Sequence, residues 1–193
     1  MESDWEIEIG PGLPIMDAQW AGLIDLRQAA EFDPVLAIAL ASRLPEVACL
    51  PGLDVALVQL NGPQSPVWTA KCDVWPLLSA AEFDPDEMDA PPEDATQAWG
   101  FYIDLLPRSA EQWTSHTAAA SWCKELCRLL QAVPVSCSRV DLVVRRAVIA
   151  PAMDIGVTAY LTACGPTADK ATQVLRVVLE RFVDALCRCS TVE

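Results

Sequence analysis

Between Thr114 and Leu186 the apolar residues change period more than once, and that succession constrains the fold more than any other feature of the chain. Ala119, Trp122, Cys123, Leu126, Cys127, Leu130 and Val133 recur at helical spacing behind a capping Thr114 or Ser115, and Pro134 ends the run. From Arg139 to Ile149 the period drops to two, with Val140, Leu142 and Val144 on one face. Asp154 to Cys164 repeats it with Ile155, Val157, Ala159 and Leu161. Gly165-Pro166-Thr167 stops that strand and caps a last helix striped by Ala171, Val174, Leu175, Val178, Phe182 and Leu186. Two strands joined by a hairpin-length link and flanked by amphipathic helices call for an antiparallel sheet with helices packed on it.

The first half reads less evenly. Residues 1–16 form an N-terminal extension holding a short alternating piece, Trp5-Glu6-Ile7-Glu8-Ile9, and a Gly/Pro turn. Residues 17–44 read as a bent helix or two short ones, with Trp20, Leu23, Ile24 and Leu26 before a break at Asp33-Pro34. Asp33 suits an N-cap and Pro34 a first helical position. Leu53–Leu60 is a β-rich apolar run, and 61–66 supplies turn residues. Val67–Trp75 alternates, with Trp68, Ala70, Cys72 and Val74 on one face and Thr69, Lys71 and Asp73 on the other. Together these two runs predict a hairpin. Residues 79–96 form an acidic loop, and Trp99, Phe101, Ile103 and Leu105 share a face of the next strand. The predicted order is α–βββ–α–ββ–α, an α+β fold with a largely antiparallel five-stranded sheet.

The chain has 193 residues, 52% of them hydrophobic and 21% charged, which suits one domain with its own core across 1–193. The eight cysteines are expected as reduced, mostly buried thiols, because such a chain needs no staples and Met1-Glu2-Ser3-Asp4-Trp5 does not look like a signal peptide. No apolar run is long enough to cross a membrane. A cytoplasmic protein is expected.

Charge is unevenly placed. Met1–Ala98 carries 18 acids against 3 bases, whereas Trp99–Glu193 carries 9 acids and 10 bases. Such a field repels nucleic acid and anionic membrane and attracts basic protein surfaces. Glu82, Asp84, Asp86, Glu87, Asp89, Glu93 and Asp94 place seven acids in thirteen residues without a base. Ala29–Pro34 and Ala80–Pro85 share the sequence Ala-Ala-Glu-Phe-Asp-Pro, which extends no further and is read as local helix-end chemistry.

No motif carries catalysis. His116 is the only histidine, and its hydroxyl neighbours Thr114, Ser115 and Thr117 are explained by helix capping. Cys123, Cys127, Cys187 and Cys189 include no CxxC pair, and the first two lie in an apolar stripe, so zinc is not expected. The acids at 82–94 lack the spacing of a calcium loop, and Gly10-Pro11-Gly12 is too short to cradle phosphate. The expectation is a protein that binds a partner, with no enzyme activity, no cofactor and no metal.

The element order, the acidity and the closing stretch Leu175-Arg176-Val177-Val178-Leu179-Glu180-Arg181-Phe182-Val183-Asp184-Ala185-Leu186 resemble the class I chaperones of type III secretion, the Tir chaperone family. The resemblance covers about residues 17–189 and implies a cytosolic homodimer that keeps a secreted effector extended around it. The alternative is an immunity protein or antitoxin that neutralises a basic toxin. The resemblance also implies a dimer interface in the helix Ser115–Val133 and the strand Arg139–Ile149. Trp122, Arg145 and Arg146 are the expected anchors there. The acids Glu82, Asp84, Asp86, Glu87 and Asp89 are the expected docking surface for a basic partner.

Overall fold

In the computed structural model, described over residues 1–8, 12–17, 25–78, 82–109, 111–149 and 152–189, the C-terminal half forms as its periods require. Ser115 caps α5 (His116–Gln131) by accepting from the Ala118 N–H, and Thr167 caps α6 (Ala168–Arg188) by accepting from the Lys170 N–H. Between them run β5 (Ser138–Ile149) and β6 (Ala152–Gly165), an antiparallel pair. The stripe from Ala119 to Leu130 and the stripe of α6 are buried, Val174 only in part. They cover Val140, Leu142, Val144, Val157, Ala159 and Leu161 on one face of the sheet.

Asp33 behaves as its sequence predicts. It ends α1 (Leu26–Phe32) and caps α2 (Pro34–Ala41), its carboxylate accepting from the Leu36 N–H at 3.0 Å. Trp20, Leu23 and Ile24 lie outside the described residues. A short α3 (Pro45–Cys49) follows.

Leu53–Leu60 is not a strand. It is α4 (Leu53–Asn61), opened by Gly52 at φ 89°. The run satisfies both periods, and the helical one wins because Leu53, Ala56, Leu57 and Leu60 then form one buried stripe against neighbouring helices. The predicted hairpin therefore does not exist. A buried polar joint ties the helix to the next strand. The Asn61 amide donates to the Leu57 carbonyl (2.8 Å) and to Thr69 Oγ1 (2.7 Å), and it accepts from the Thr69 N–H at 3.1 Å. The Arg108 guanidinium closes the C-terminal end of α4, donating to the carbonyls of Asn61, Gly62 and Ser65 while lying 3.7 Å from the centre of the Trp68 ring.

β3 (Val67–Leu77) pairs antiparallel with β4 (Gln97–Pro107), but a bulge between Thr69 and Cys72 breaks the expected alternation. Trp68 and Ala70 face a small cluster with Ile15, Leu106 and Ala147, whereas Cys72 and Val74 turn to the main core. Trp99, Phe101, Ile103 and Leu105 share the core face as expected.

The N-terminal extension is part of the sheet. β1 (Glu2–Ile7) pairs parallel with β5 from Glu2↔Arg139 to Ile7↔Val144, and β2 (Ile15–Met16) continues along the same strand. The sheet has six strands where five are predicted, in the order β1–β5–β6–β4–β3 with β2 also on β5. It is antiparallel except for β1 and β2. β5 lies inside the sheet, with β6 on one side and β1 and β2 on the other. Among the described residues no helix is long and apolar enough to cross a membrane.

Candidate functional site

The main apolar cluster lies on the helix side of the sheet. On the other side, two small clusters sit at opposite ends: Ile15, Ala70, Leu106 and Ala147 at one, Met88, Ala98 and Cys164 at the other. The surface between them is polar. It consists of the side chains that alternate with the core-facing ones, and the strand register sets them in rows.

One row crosses five strands. Asp73 pairs with Tyr102, Tyr102 with Tyr160, Tyr160 with Asp141, and Asp141 with Asp4. Opposed residues in a sheet are close enough for their side chains to interact. The Trp75 and Tyr102 ring centres are 6.1 Å apart, and those of Tyr102 and Tyr160 are 6.2 Å apart, both tilted. Gly100 makes room for Trp75, since a Cβ there would meet that ring at 2.7 Å. The next row pairs Asp104 with Thr158, Thr158 with Val143 and Val143 with Glu6. The buried Thr158 hydroxyl donates to Asp104 at 2.6 Å.

Burial is felt in the ionisation of these groups. Desolvation raises the Asp104 carboxyl above its ordinary range, opposed by the Thr158 hydrogen bond and by Arg145 and Lys71. Desolvation likewise raises Asp141, opposed by Arg139, which donates to it at 2.8 Å. Tyr102 is raised by burial and then by Asp104 and Asp73, so its ring stays neutral on the platform.

Beside the tyrosine row a cleft of about 300 Å³ opens between β1, β5 and the segment around a 3₁₀ turn, Asp86–Met88. Asp4, Glu6, Glu82, Asp84, Glu87 and Asp141 line it, with Arg139 as the cation among its lining residues. Arg139 bridges two walls, reaching Glu87 at 3.1 Å as well as Asp141.

The acids expected as a docking surface are exposed, and the structure brings Glu82, Asp84 and Glu87 into this cleft, while Asp86 and Asp89 of the same segment do not line it. The segment is more than a solvated loop, because Met88 is 2% exposed and packs on Ala98 and Cys164. Residues 79–81 of the expected acidic loop lie outside the described residues. Trp122 is not a surface anchor. It is buried, 5.1 Å from Trp113 in the core, where a large ring on the apolar stripe of α5 must go. Arg145 faces the open side, paired with Glu8 at 2.6 Å and 5.6 Å from the Tyr160 ring centre. Arg146, its neighbour on the strand, is exposed and turned to the opposite side.

Asp4, Glu6, Asp73, Trp75, Tyr102, Asp104, Asp141, Thr158 and Tyr160 are absent from the expected set. Their signal is present in the sequence as the polar complement of the apolar alternation. Among the described residues no group of three or more His, Cys, Asp or Glu side chains is placed to hold a metal. Comparison with known families, characterised proteins and solved structures finds no match to this chain.

Proposed function

We propose that this is a non-catalytic cytosolic binding protein that holds a basic polypeptide partner on the face of its sheet opposite the described α-helices, as a secretion chaperone holds its effector. The observation that carries the reading is the Asp73–Tyr102–Tyr160–Asp141–Asp4 row running into an acid-lined cleft. Carboxylates steer and pair Lys or Arg side chains, and the tyrosine faces receive the cations and the apolar stems between them. A second feature favours the chaperone form. Val35, Leu36 and Ile38 of α2 are exposed, a surface suited to a partner kept unfolded. The homodimer belongs to that form, with an interface other than one anchored by Trp122.

The neutralisation of a basic toxin is favoured by a different observation. The acids sit in fixed ladder register around a formed cleft, which suits a protruding cation on a folded surface. The two readings separate on the bound partner. A protease-sensitive, extended effector with a dimer favours the chaperone, and a folded toxin in a one-to-one complex favours neutralisation.

The shared claim is tested by titrating the protein with an arginine-rich peptide and with its glutamate counterpart, following tryptophan fluorescence at low and raised salt. The expected result is binding of the basic peptide alone, weakening with salt, and its loss in Asp73→Lys/Asp141→Lys. Equal binding of the acidic peptide, or unchanged binding by the double variant, overturns it.

A further inference from the structure

We propose that Cys137 and Cys164 form a reversible dithiol–disulfide pair that low-molecular-weight disulfides oxidise. The two residues lie opposite each other where β5 begins and β6 ends. Ser138 pairs with Ala163, and the next step of the ladder is the Cys164 N–H donating to the Cys137 carbonyl at 2.9 Å. Opposed residues in an antiparallel ladder have Cα atoms about 4.5–5.5 Å apart. That is inside the ~4.4–6.8 Å that a disulfide spans. Cys137 adopts φ 59°, a left-handed conformation that a side chain rarely takes, at the point where the chain turns into β5. Both thiols lie on the side of the sheet away from the helices, in the small cluster with Met88. Cys164 is fully buried and Cys137 is half-buried.

The asymmetry assigns the order of events. Burial pushes the Cys137 thiol up, while a hydrogen bond with Cys164 pulls it back. Burial pushes Cys164 up to about 12. Cys137, the more accessible sulfur, loses its proton and attacks one sulfur of the small disulfide. The S–S bond breaks, and the leaving thiolate takes up a proton. Cys164 then gives up its proton and attacks the Cys137 sulfur of the mixed disulfide, expelling the second small thiol. The protein has lost two protons and two electrons, and the small disulfide has become two thiols. Asp89 and Asp94 act electrostatically on Cys137, so a cationic disulfide is the matched oxidant and an anionic one is repelled.

The remaining thiols set the controls. Cys49 and Cys187 are exposed and take single adducts, so both are replaced in the test protein by serine. Cys72, Cys123, Cys127 and Cys189 are buried and mark the alternative cross-links. The Cys49→Ser/Cys187→Ser protein is incubated with cystamine or with oxidised glutathione at low salt, quenched in acid and measured by intact mass and peptide mapping. The expected product is about 2 Da lighter, since two thiol hydrogens leave, with a Cys137–Cys164 cross-link that forms faster with cystamine and is reversed by reductant. Adding Cys164→Ala should replace it by a stable single adduct on Cys137. Three results overturn the proposal: no change in mass, a lasting adduct on Cys137 with Cys164 free, or a cross-link within Cys72, Cys123, Cys127 and Cys189. Mapping of the unsubstituted protein reads the same cross-link if the Cys164 variant does not fold.

Discussion

Tyr102 and Tyr160 face each other across β4 and β6 with ring centres 6.2 Å apart, and each has an aspartate as its other neighbour in the row, Asp73 beside Tyr102 and Asp141 beside Tyr160. Two aromatic faces between two carboxylates form a short platform that suits a cation with an apolar stem. Replacing Tyr160 by alanine should weaken binding of the arginine-rich peptide by roughly threefold to tenfold, the range for loss of a cation–π contact. Titration measures it, and Tyr160→Phe should keep most of the affinity, because the face of the ring carries the interaction.

Trp75 depends on Gly100, where a Cβ would come within 2.7 Å of its ring. Gly100→Ala should displace Trp75 from its place beside Tyr102. Near-ultraviolet circular dichroism should change, and peptide affinity should fall while the far-ultraviolet spectrum stays as it was.

Asp104 gives a pH dependence with a definite sign. Its folded pKa is raised, chiefly by desolvation, so ionisation costs stability at neutral pH, and the cost fades as pH falls through the folded value. Asp104→Asn keeps an acceptor for Thr158 and removes the charge. Its melting temperature should exceed that of the parent at pH 7, and the difference should vanish in acid, where both side chains are neutral.

Asn61 satisfies three buried partners at the α4–β3 joint. Asn61→Ala leaves the Thr69 N–H without its partner, a loss of about 1–3 kcal/mol for an unsatisfied buried group. Urea denaturation at equilibrium should show it as a lower midpoint with an unchanged slope.

Trp122 and Met88 test where the core ends. Trp122→Ala should cost about 3–5 kcal/mol as a large-to-small core change, equally at low and high protein concentration, because the ring packs inside one chain. In the acidic segment, Met88→Ala should cost about 2 kcal/mol or more by the same reasoning. Replacing Asp86 and Asp89 by asparagine should leave the melting temperature nearly unchanged, since both side chains are exposed.

Local chemistry in the sequence determined α5, β5, β6, α6, β4 and the α1–α2 break. Each is specified by a cap, a breaker or a period long enough to exclude the other period, as Ser115, Thr167 and Asp33 illustrate. The excess of acid in the first half was legible too, and with it the expectation of a basic partner. Tertiary structure alone decided three things. It made Leu53–Asn61 a helix, because a short apolar run fits either period until a neighbour needs its stripe. It placed Glu2–Ile7 beside β5, more than a hundred residues away, because backbone pairing carries no mark in the side chains of one strand alone. It turned Trp68 and Cys72 to opposite faces through a bulge and lined up Asp73, Tyr102, Tyr160, Asp141 and Asp4. Alternation says which side chains share a face within a strand, and only the register between strands says which of them meet.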